Sequence, residues 1–301
     1  MLAGGEGKRL RSLVERIHPD GRPKQYAVLV GSRSLLRQTL DRTARLVPPE
    51  RTLVVTTRSH SPFFSAELPD ADGPTLVVQP RDRGTGAGVL LPAYWIARRD
   101  PQAWVAVFPS DHFVGDDEAF TTHVADLALA AARHPDRIHL LGAQPEAPET
   151  GYGWIEPGAA LDRLPAGGLR RVARFWEKPT AEVASACMAR GGLWNTFVMV
   201  ARVSTLIDAG LRALPDLAER LSRIAPVIGS ERDASMLDAA YLRAPPANFS
   251  ADVLSVMPSM LAVSKLPPIT WSDWGTPDRV ITTLRREGIA PPWLRELAPT
   301  A

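Results

Sequence analysis

The chain has 301 residues, a formal net charge of +2, and 45% hydrophobic and 23% charged residues. These values are typical of a folded globular protein, with one large α/β domain or one domain with a small appendage, and they exclude wholesale disorder and a global charge that would attract nucleic acid. A single cysteine, Cys187, excludes an intramolecular disulfide, and the absence of a signal peptide and of any apolar run near 20 residues predicts a cytoplasmic protein without membrane partners.

In the first half, short apolar runs alternate with longer segments of helical spacing, the pattern of a parallel sheet covered by helices. The predicted strands are 26–30, 52–57, 75–79, 104–109 and 138–143. The predicted helices are 34–46, 85–98 and 118–134, where apolar residues recur at three- and four-residue intervals.

After about residue 144 the chain becomes richer in Gly, Pro and Trp, and its pattern is mixed. Strands are predicted at 151–156, 169–177 and 192–200, and helices at 180–190, 203–213 and 216–224. The sequence therefore predicts a Rossmann-like, mixed and mostly parallel sheet with helices on both faces. We predict one domain over 1–280 and a short helical extension over 281–301.

A glycine-rich segment, LAGGEGKRL at residues 2–10, runs from a short strand into a helix. Glycines allow close backbone approach, and N–H groups at a helix start favour phosphate oxygens, so the segment suits a polyphosphate. It is neither a Walker A loop nor a dinucleotide fingerprint. A tight strand-to-helix turn without a ligand is the alternative.

Two further segments carry charge at positions suited to phosphate chemistry. Lys24 lies in the proline-stiffened run RPKQY, where it either reaches the same phosphates or is a solvated surface lysine. Asp111 follows an apolar strand in FPSDH, where a carboxylate can hold magnesium or cap a turn. The Asp70-Ala71-Asp72 pattern of metal-using glycosyltransferases lies in a Pro/Gly-flanked turn, and we discount it.

Together these segments resemble the sugar-1-phosphate nucleotidylyltransferases, and most closely the mannose-1-phosphate guanylyltransferases. The resemblance spans about residues 2–280. It is carried by LAGGEGKRL, RPKQY, QPRDRGTG, PSDH, ETGYGWIEPG, RFWEKP, LWNTFVMV and WSDWGTPDRV.

The resemblance implies a nucleotide-diphospho-sugar transferase fold, with a nucleotide-binding half over 1–143 and a sugar-phosphate-binding half over 144–280. It implies transfer of a nucleotidyl group from a nucleoside triphosphate to a sugar 1-phosphate with release of pyrophosphate, with GTP and mannose 1-phosphate as the expected pair. Mg²⁺ is the expected cofactor, and a homodimer is one assembly that the sequence permits.

Site residues follow from matching motif positions. The resemblance assigns catalysis to Arg9, Lys24, Asp111 and Asp273, and magnesium binding to the two aspartates. It assigns nucleotide binding to Gly4, Gly5, Gly7, Lys8, Gln79, Gly84 and Thr85. It assigns sugar-phosphate binding to Gly151, Glu177, Lys178 and Asn195.

The chain departs from the family pattern at three places. Lys8 stands where Thr is more usual, and the base-contacting loop contains Arg-Asp-Arg-Gly-Thr-Gly instead of the commoner Arg-Asn-Thr form. Asn195 is followed by Thr196 and Phe197 instead of Ser and Gly. These changes touch the predicted base and sugar sites.

Other functions remain open at this point. A glycosyltransferase consuming a nucleotide sugar would share the broad fold, but Arg9 and Lys24 argue against it. A non-catalytic sugar-nucleotide-binding or regulatory subunit would be expected to have lost one of the charged site residues, but Arg9, Lys24, Asp111 and Asp273 are all present. A nucleotidylyltransferase for another triphosphate and sugar pair is the third alternative.

Overall fold

The computed structural model describes residues 1–68, 73–164, 168–227 and 233–296. The Asp70-Ala71-Asp72 pattern lies outside these residues. The α-helices are α1 (Arg11–Ile17), α2 (Leu35–Thr43), α3 (Ser61–Glu67), α4 (Gly84–Arg99), α5 (Asp117–Ala131), α6 (Ala181–Ala189), α7 (Val203–Ala213), α8 (Pro215–Ile224), α9 (Asp233–Arg243), α10 (Pro277–Arg286) and α11 (Pro292–Glu296). The strands are β1 (Leu53–Thr57), β2 (Thr75–Gln79), β3 (Trp104–Val107), β4 (Phe113–Val114), β5 (Ile138–Ala143), β6 (Gly153–Asp162), β7 (Leu169–Glu177), β8 (Leu193–Arg202), β9 (Leu261–Lys265) and β10 (Trp271–Ser272).

The chain forms two compact units, and each is built from separate stretches of sequence. Unit 1 comprises Met1–Val78, Pro109–Thr121 and Ile269–Ala301, and unit 2 comprises Gln79–Phe108 and Thr122–Pro268. The units are defined by contacts and not by ligands. The division into a nucleotide half and a sugar-phosphate half therefore stays a prediction.

Unit 2 contains a six-stranded sheet in the order β3-β8-β5-β9-β7-β6. Among the described strands of this sheet, β5 and β9 pair in parallel and the remaining pairings are antiparallel. The predicted mixed α/β class is confirmed, but parallel pairing is less extensive than predicted. The consecutive strands β6 and β7 pair antiparallel, and β8 lies between β3 and β5 and is antiparallel to both. Antiparallel neighbours do not require the helical crossovers that parallel strands need.

Unit 1 is held by core clusters that join distant parts of the sequence. One cluster packs α1 and α10 against the residues between α1 and α2, and Phe113 stacks on Trp274 with ring centroids 4.9 Å apart. Its buried members are Leu10, Leu13, Val14, Ala27, Leu29, Leu35, Phe113, Trp274, Val280 and Leu284. This packing fixes the position of the glycine-rich segment relative to the turn that contains Asp273.

The predicted strand at 26–30 is wrong. Lys24–Tyr26 forms a 3-10 turn closed by a hydrogen bond from the Ala27 N–H to the Lys24 carbonyl, and residues 27–30 have no regular structure. The apolar side chains of Ala27 and Leu29 are buried in the core cluster. A short apolar run indicates that the residues are buried, but it does not show which element buries them. Here they are buried by packing against helices and not by pairing in a sheet.

Most other predicted elements are confirmed, with ends shifted by a few residues. The strands at 75–79, 138–143 and 169–177 and the helix at 203–213 have the predicted bounds. In the described part of the chain, no helix combines the length and apolar character needed to cross a membrane.

The buried imidazole of His139 makes the stability of unit 2 depend on pH. His139 lies in β5, and Nδ1 is 3.2 Å from the Val200 carbonyl oxygen, to which it donates. Burial lowers the pKa of His139 to about 4, from 6.5 in the unfolded chain. The unfolded state therefore binds the proton first, and stability that is present above pH 6.5 is lost as the pH falls towards 4.

We expect the advantage of the wild-type chain over His139→Gln, measured as the free energy of unfolding in urea, to shrink as the pH falls from 6.5 to 4. The expected slope is at most about 1.4 kcal/mol per pH unit. Because other histidines also titrate, the difference between the two proteins is the quantity that isolates His139. Parallel stability curves would contradict this prediction.

Candidate active site

The glycine-rich segment begins at a short extended stretch and ends in a helix, as the sequence predicts. Leu2 forms parallel bridges to Val55 and to Pro109, and the segment enters α1 through a 3-10 turn, Lys8–Leu10. Gly7 has φ of +60°, and a Cβ there would lie 2.9 Å from Cβ of Lys24. Only glycine permits this close approach, which brings the loop against the predicted phosphate-binding lysine.

Gln25 holds the glycine-rich loop from the opposite side. Its Nε2 donates to the carbonyl oxygens of Ala3, at 2.7 Å, and Gly5, at 3.0 Å. Sequence analysis assigned no role to Gln25, although it lies next to Lys24 in the RPKQY segment. A carboxamide is suited to this role because one NH₂ group can donate to two carbonyls.

Lys24 joins the two predicted metal-binding aspartates. Its side chain is only 4% exposed, and Nζ lies 3.1 Å from Oδ2 of Asp111. The same Nζ donates to the backbone carbonyl of Asp273. The structure therefore brings Lys24, Asp111 and Asp273 together within unit 1, and the alternative of a solvated surface lysine is wrong.

The pairing of β4 with β10 explains why two aspartates far apart in sequence meet. The strands are antiparallel, with Phe113 opposite Ser272. In an antiparallel pair, the residues before one strand lie beside the residues after the other. Asp111 precedes β4 and Asp273 follows β10, so both emerge at the same end of this ladder.

Positive charge surrounds the Asp273 carboxylate. Nη1 of Arg279 donates to both carboxylate oxygens, at 3.0 and 3.1 Å, and Nη2 of Arg9 lies 3.5 Å from Oδ2. The Gly275 N–H donates to Oδ1 at 2.9 Å. Burial raises the pKa of the Asp273 carboxyl, but the charges of Lys24 and Arg279 outweigh burial and hold the pKa below its usual value. The carboxylate is therefore ionised at neutral pH.

Arg279 is a residue of this cluster that sequence analysis missed. It lies in the first part of α10, six residues after Asp273 and within the WSDWGTPDRV segment, in which sequence analysis assigned a role to Asp273 alone. The helix start places it: the Thr276 hydroxyl caps α10, and the following turn presents Arg279 to the Asp273 loop.

His112, next to Asp111, packs against an aromatic residue of unit 1. Its ring packs edge-on against Trp271, with centroids 5.3 Å apart. Burial lowers the pKa of His112 to about 4, so the imidazole is neutral near pH 7. It adds no positive charge to a site that already contains Lys24.

The predicted base-contacting residues lie in unit 2 and are bound to one segment of that unit, residues 241–249. The Tyr241 hydroxyl donates to Oε1 of Gln79 at 3.0 Å. The Phe249 N–H donates to Oγ1 of Thr85 at 2.8 Å. Gly84 lies so close to the Ala247 carbonyl oxygen that a Cβ would approach it to 2.3 Å.

The predicted sugar-binding residues are also in unit 2, and two of them flank Gly153. A Cβ on Gly153 would lie 3.0 Å from Oε2 of Glu177 and 3.2 Å from Cβ of Asn195, so these side chains are close neighbours. Lys178 is more exposed, with Nζ 3.8 Å from Oε1 of Glu177. Gly151 is half-buried in the turn before β6.

A π-helix, Phe249–Leu254, contacts both groups of predicted ligand residues in unit 2. Its residue Phe249 binds Thr85, and the Ser250 hydroxyl accepts from Nδ2 of Asn195 at 3.4 Å. Asn248 caps its start by accepting from the Ser250 and Ala251 N–H groups. Sequence analysis did not predict this element. Helices with this hydrogen-bond pattern are often found at functional sites.

Comparison with known proteins decides the family. The family model described as "Nucleotidyl transferase" matches residues 1–286. The chain belongs to the nucleotidyl transferase family. The resemblance stated from the motifs is thereby confirmed at the level of the family.

Similar proteins include one named for xanthan biosynthesis and one named mannose-1-phosphate guanylyltransferase. The xanthan biosynthesis protein XanB of Xanthomonas campestris pv. campestris (strain B100) is 32% identical over 238 residues, which cover 78% of this chain and 48% of XanB. The mannose-1-phosphate guanylyltransferase of Sinorhizobium fredii (strain NBRC 101917 / NGR234) is 30% identical over 291 residues, which cover 93% of this chain and 53% of that protein. The chain thus spans about half the length of the curated relatives it matches.

Solved structures agree with the fold. A crystal structure described as mannose-1-phosphate geranyltransferase from Thermus thermophilus aligns with a TM-score of 0.79 and 31% identity, covering 97% of this chain and 78% of that chain. A putative glucose-1-phosphate thymidylyltransferase from Bacillus anthracis aligns with a TM-score of 0.58 at 14% identity, covering 96% of this chain and 94% of that chain, and shows the fold alone.

Phe197, at one of the positions where the sequence departs from the expected family pattern, has a left-handed backbone with φ of +60°. Aromatic residues rarely adopt this conformation, so it is strained. Its N–H donates to Oδ1 of Asn195 at 3.1 Å, and its ring packs edge-on against Phe249 with centroids 6.4 Å apart. These contacts hold the strained backbone beside a predicted sugar-binding residue.

We expect Phe197→Gly to be more stable than Phe197→Ala by about 1 kcal/mol, because both remove the ring and only glycine relieves the left-handed backbone. Urea denaturation of the two variants measures the difference. At Arg171, an exposed position in β7, the same two substitutions serve as the control, and there the alanine variant should be the more stable. An alanine variant at Phe197 that equals the glycine variant would show that this backbone is not strained.

Proposed function

We propose that the chain transfers a nucleotidyl group from a nucleoside triphosphate to a sugar 1-phosphate and releases pyrophosphate, with GTP and mannose 1-phosphate as the substrates. Membership of the nucleotidyl transferase family supports the reaction class. The observation that carries the proposal is the convergence of Lys24, Asp111 and Asp273 beside the glycine-rich loop and Arg9. Relatives named mannose-1-phosphate guanylyltransferase support the choice of substrates.

The reaction brings two polyanions together, and positive charges of the chain would reduce the repulsion between them. A phosphate oxygen of the sugar phosphate attacks the α-phosphorus, and pyrophosphate leaves, so no protein nucleophile is required. Two like charges about 4 Å apart repel by about 1 kcal/mol in water and by about 4 kcal/mol at an effective dielectric of 20. Arg9, Lys24 and the N–H groups of the glycine-rich loop would offset this repulsion.

The donor set of the aspartates fits magnesium. Mg²⁺ is usually held by one or two carboxylates together with phosphate oxygens and water. The pKa of Asp273 lies below its usual value, so its carboxylate provides ionised oxygen donors, and the Asp111 carboxyl is a partly exposed oxygen donor beside it. We propose that Asp111 and Asp273 hold Mg²⁺, which would supply charge neutralisation on the phosphates.

Unit 2 supplies the residues proposed to select the substrates. Gln79, Gly84 and Thr85 would lie at the base, and Glu177 and Asn195 would bind sugar hydroxyls. Lys178 carries an accessible positive charge suited to the sugar phosphate, since its side chain is 56% exposed.

We expect pyrophosphate release with magnesium to be strongest for GTP with mannose 1-phosphate, across a grid of common nucleoside triphosphates and sugar 1-phosphates. Asp111→Asn and Lys24→Met should each lower kcat/KM by about 10²–10³, because each removes a charge that acts on the phosphates. Asp41→Asn is the matched control and should be near wild type, because it breaks only an exposed ion pair between Asp41 on α2 and Arg33, which precedes that helix.

A strong signal for another pair would keep the reaction class and correct the substrates. Asp111→Asn with wild-type kcat/KM would overturn the proposed role of the aspartates. No pyrophosphate release by the wild-type protein anywhere on the grid would favour a non-catalytic sugar-nucleotide-binding subunit.

A further inference from the structure

Residues 241–249, which we name the clamp segment, contact the base-contacting loop at each of the residues proposed to face the nucleotide base. The loop is the stretch from Gln79 to Gly86, and it belongs to unit 2 together with the clamp segment. The contacts are distributed along the segment: Tyr241 binds Gln79, Ala247 packs on Gly84, and Phe249 binds Thr85. The conformation of the loop therefore depends on the clamp segment.

The backbone connections of the clamp segment are reciprocal. Nε of Arg83 donates to the Tyr241 carbonyl at 2.8 Å, and Nη2 donates to the Leu242 carbonyl at 3.2 Å. The Ala247 N–H donates to the Arg83 carbonyl at 3.0 Å, and the Ala247 carbonyl accepts from the Gly86 N–H at 2.8 Å. Displacing the clamp segment would break bonds at both of its ends.

Within the segment, Tyr241 hydrogen-bonds to the one carboxamide of the loop. Tyr241 is fully buried and Gln79 is 4% exposed, so the bond between them is shielded from water. Burial raises the pKa of Tyr241, which keeps the hydroxyl protonated and able to donate. Oε1 of Gln79 is the acceptor that the described residues give this buried hydroxyl. A hydroxyl can also accept, but turning the carboxamide over by 180° would leave the buried O–H hydrogen without its acceptor, so the bond favours one orientation of the Gln79 carboxamide.

We propose that Tyr241 is a positioning residue that sets the nucleotide-base preference by fixing the orientation of Gln79. The inference rests on the proposed function, in which Gln79 lies at the base. Guanine and adenine present opposite hydrogen-bonding groups at the six position, an acceptor and a donor. A carboxamide held in one orientation discriminates between them, and one that can turn over by 180° discriminates less.

The test compares Tyr241→Phe with Tyr94→Phe. Tyr94 is also a buried tyrosine of unit 2, and among the described residues its hydroxyl has no hydrogen-bond partner, so its variant removes the same group without breaking a bond. KM and kcat are measured for GTP and for ATP with mannose 1-phosphate in excess.

Tyr241→Phe should lower the ratio of kcat/KM for GTP to kcat/KM for ATP by about five- to twentyfold, mainly through changes in KM. Tyr94→Phe should keep the wild-type ratio. In a double-mutant cycle, Gln79→Met and the combined variant should share the same ratio, because Tyr241 acts through Gln79. An unchanged ratio in Tyr241→Phe, or additive effects in the cycle, would overturn the inference.

Two further measurements keep the outcome decisive. If Tyr241→Phe does not fold, Arg83→Met, which frees the Tyr241 carbonyl and keeps its hydroxyl, should shift the ratio in the same direction, and an unchanged ratio would overturn the inference. If the wild-type protein releases no pyrophosphate, the proposed function fails, and calorimetric Kd values for GTP and ATP then carry the same comparison. A wild-type chain that binds both equally, or neither, would overturn the inference.

Discussion

The arrangement of unit 1 depends on the pairing of the buried Lys24 ammonium group with the Asp111 carboxylate and the Asp273 carbonyl. A charge taken out of water is costly unless it is paired and hydrogen-bonded, and here the Asp111 carboxylate and the Asp273 carbonyl meet that requirement. The three segments that carry these residues cannot move independently without leaving the charge unpaired. Gly7 and Gln25 extend the constraint to the glycine-rich loop, since one permits close approach to Lys24 and the other holds the loop carbonyls.

Strained backbone lies beside residues proposed to act on the substrates. Among the described residues other than glycine, positive φ values occur at Lys178, Phe197 and Trp274, which adjoin or lie two residues from Glu177, Asn195 and Asp273. The surrounding contacts hold each conformation in place: Trp274 is fully buried and stacked on Phe113, and the backbone N–H of Lys178 donates to the Tyr152 carbonyl. Such strain persists only where packing over-determines the backbone, and it is concentrated at functional sites.

In unit 2, uncharged polar residues of the base-contacting loop are held by neutral hydrogen bonds and not by a buried charge. Gln79 and Thr85 are tied to the clamp segment by their side chains, so their arrangement is set by the protein before any ligand binds. Preorganisation of this kind lowers the ordering cost of binding and favours one pattern of donors and acceptors over another. The π-helix, which begins at Phe249, the last residue of the clamp segment, extends the same connection to Asn195 through Ser250.

The sequence by itself determined the strands and helices with clear periodicity, the α/β class, the order of the motifs and the family, because burial and turn geometry leave local patterns. The tertiary structure decided that residues 26–30 are buried without forming a strand, and that β8 pairs antiparallel between β3 and β5. It also decided that Arg279 binds Asp273 and that Tyr241 binds Gln79. Arg279 lies in the same motif as Asp273, but the sequence does not show that the two side chains meet, nor that Tyr241 reaches Gln79. Which polar groups meet depends on how separate elements pack, and packing is a property of the whole core.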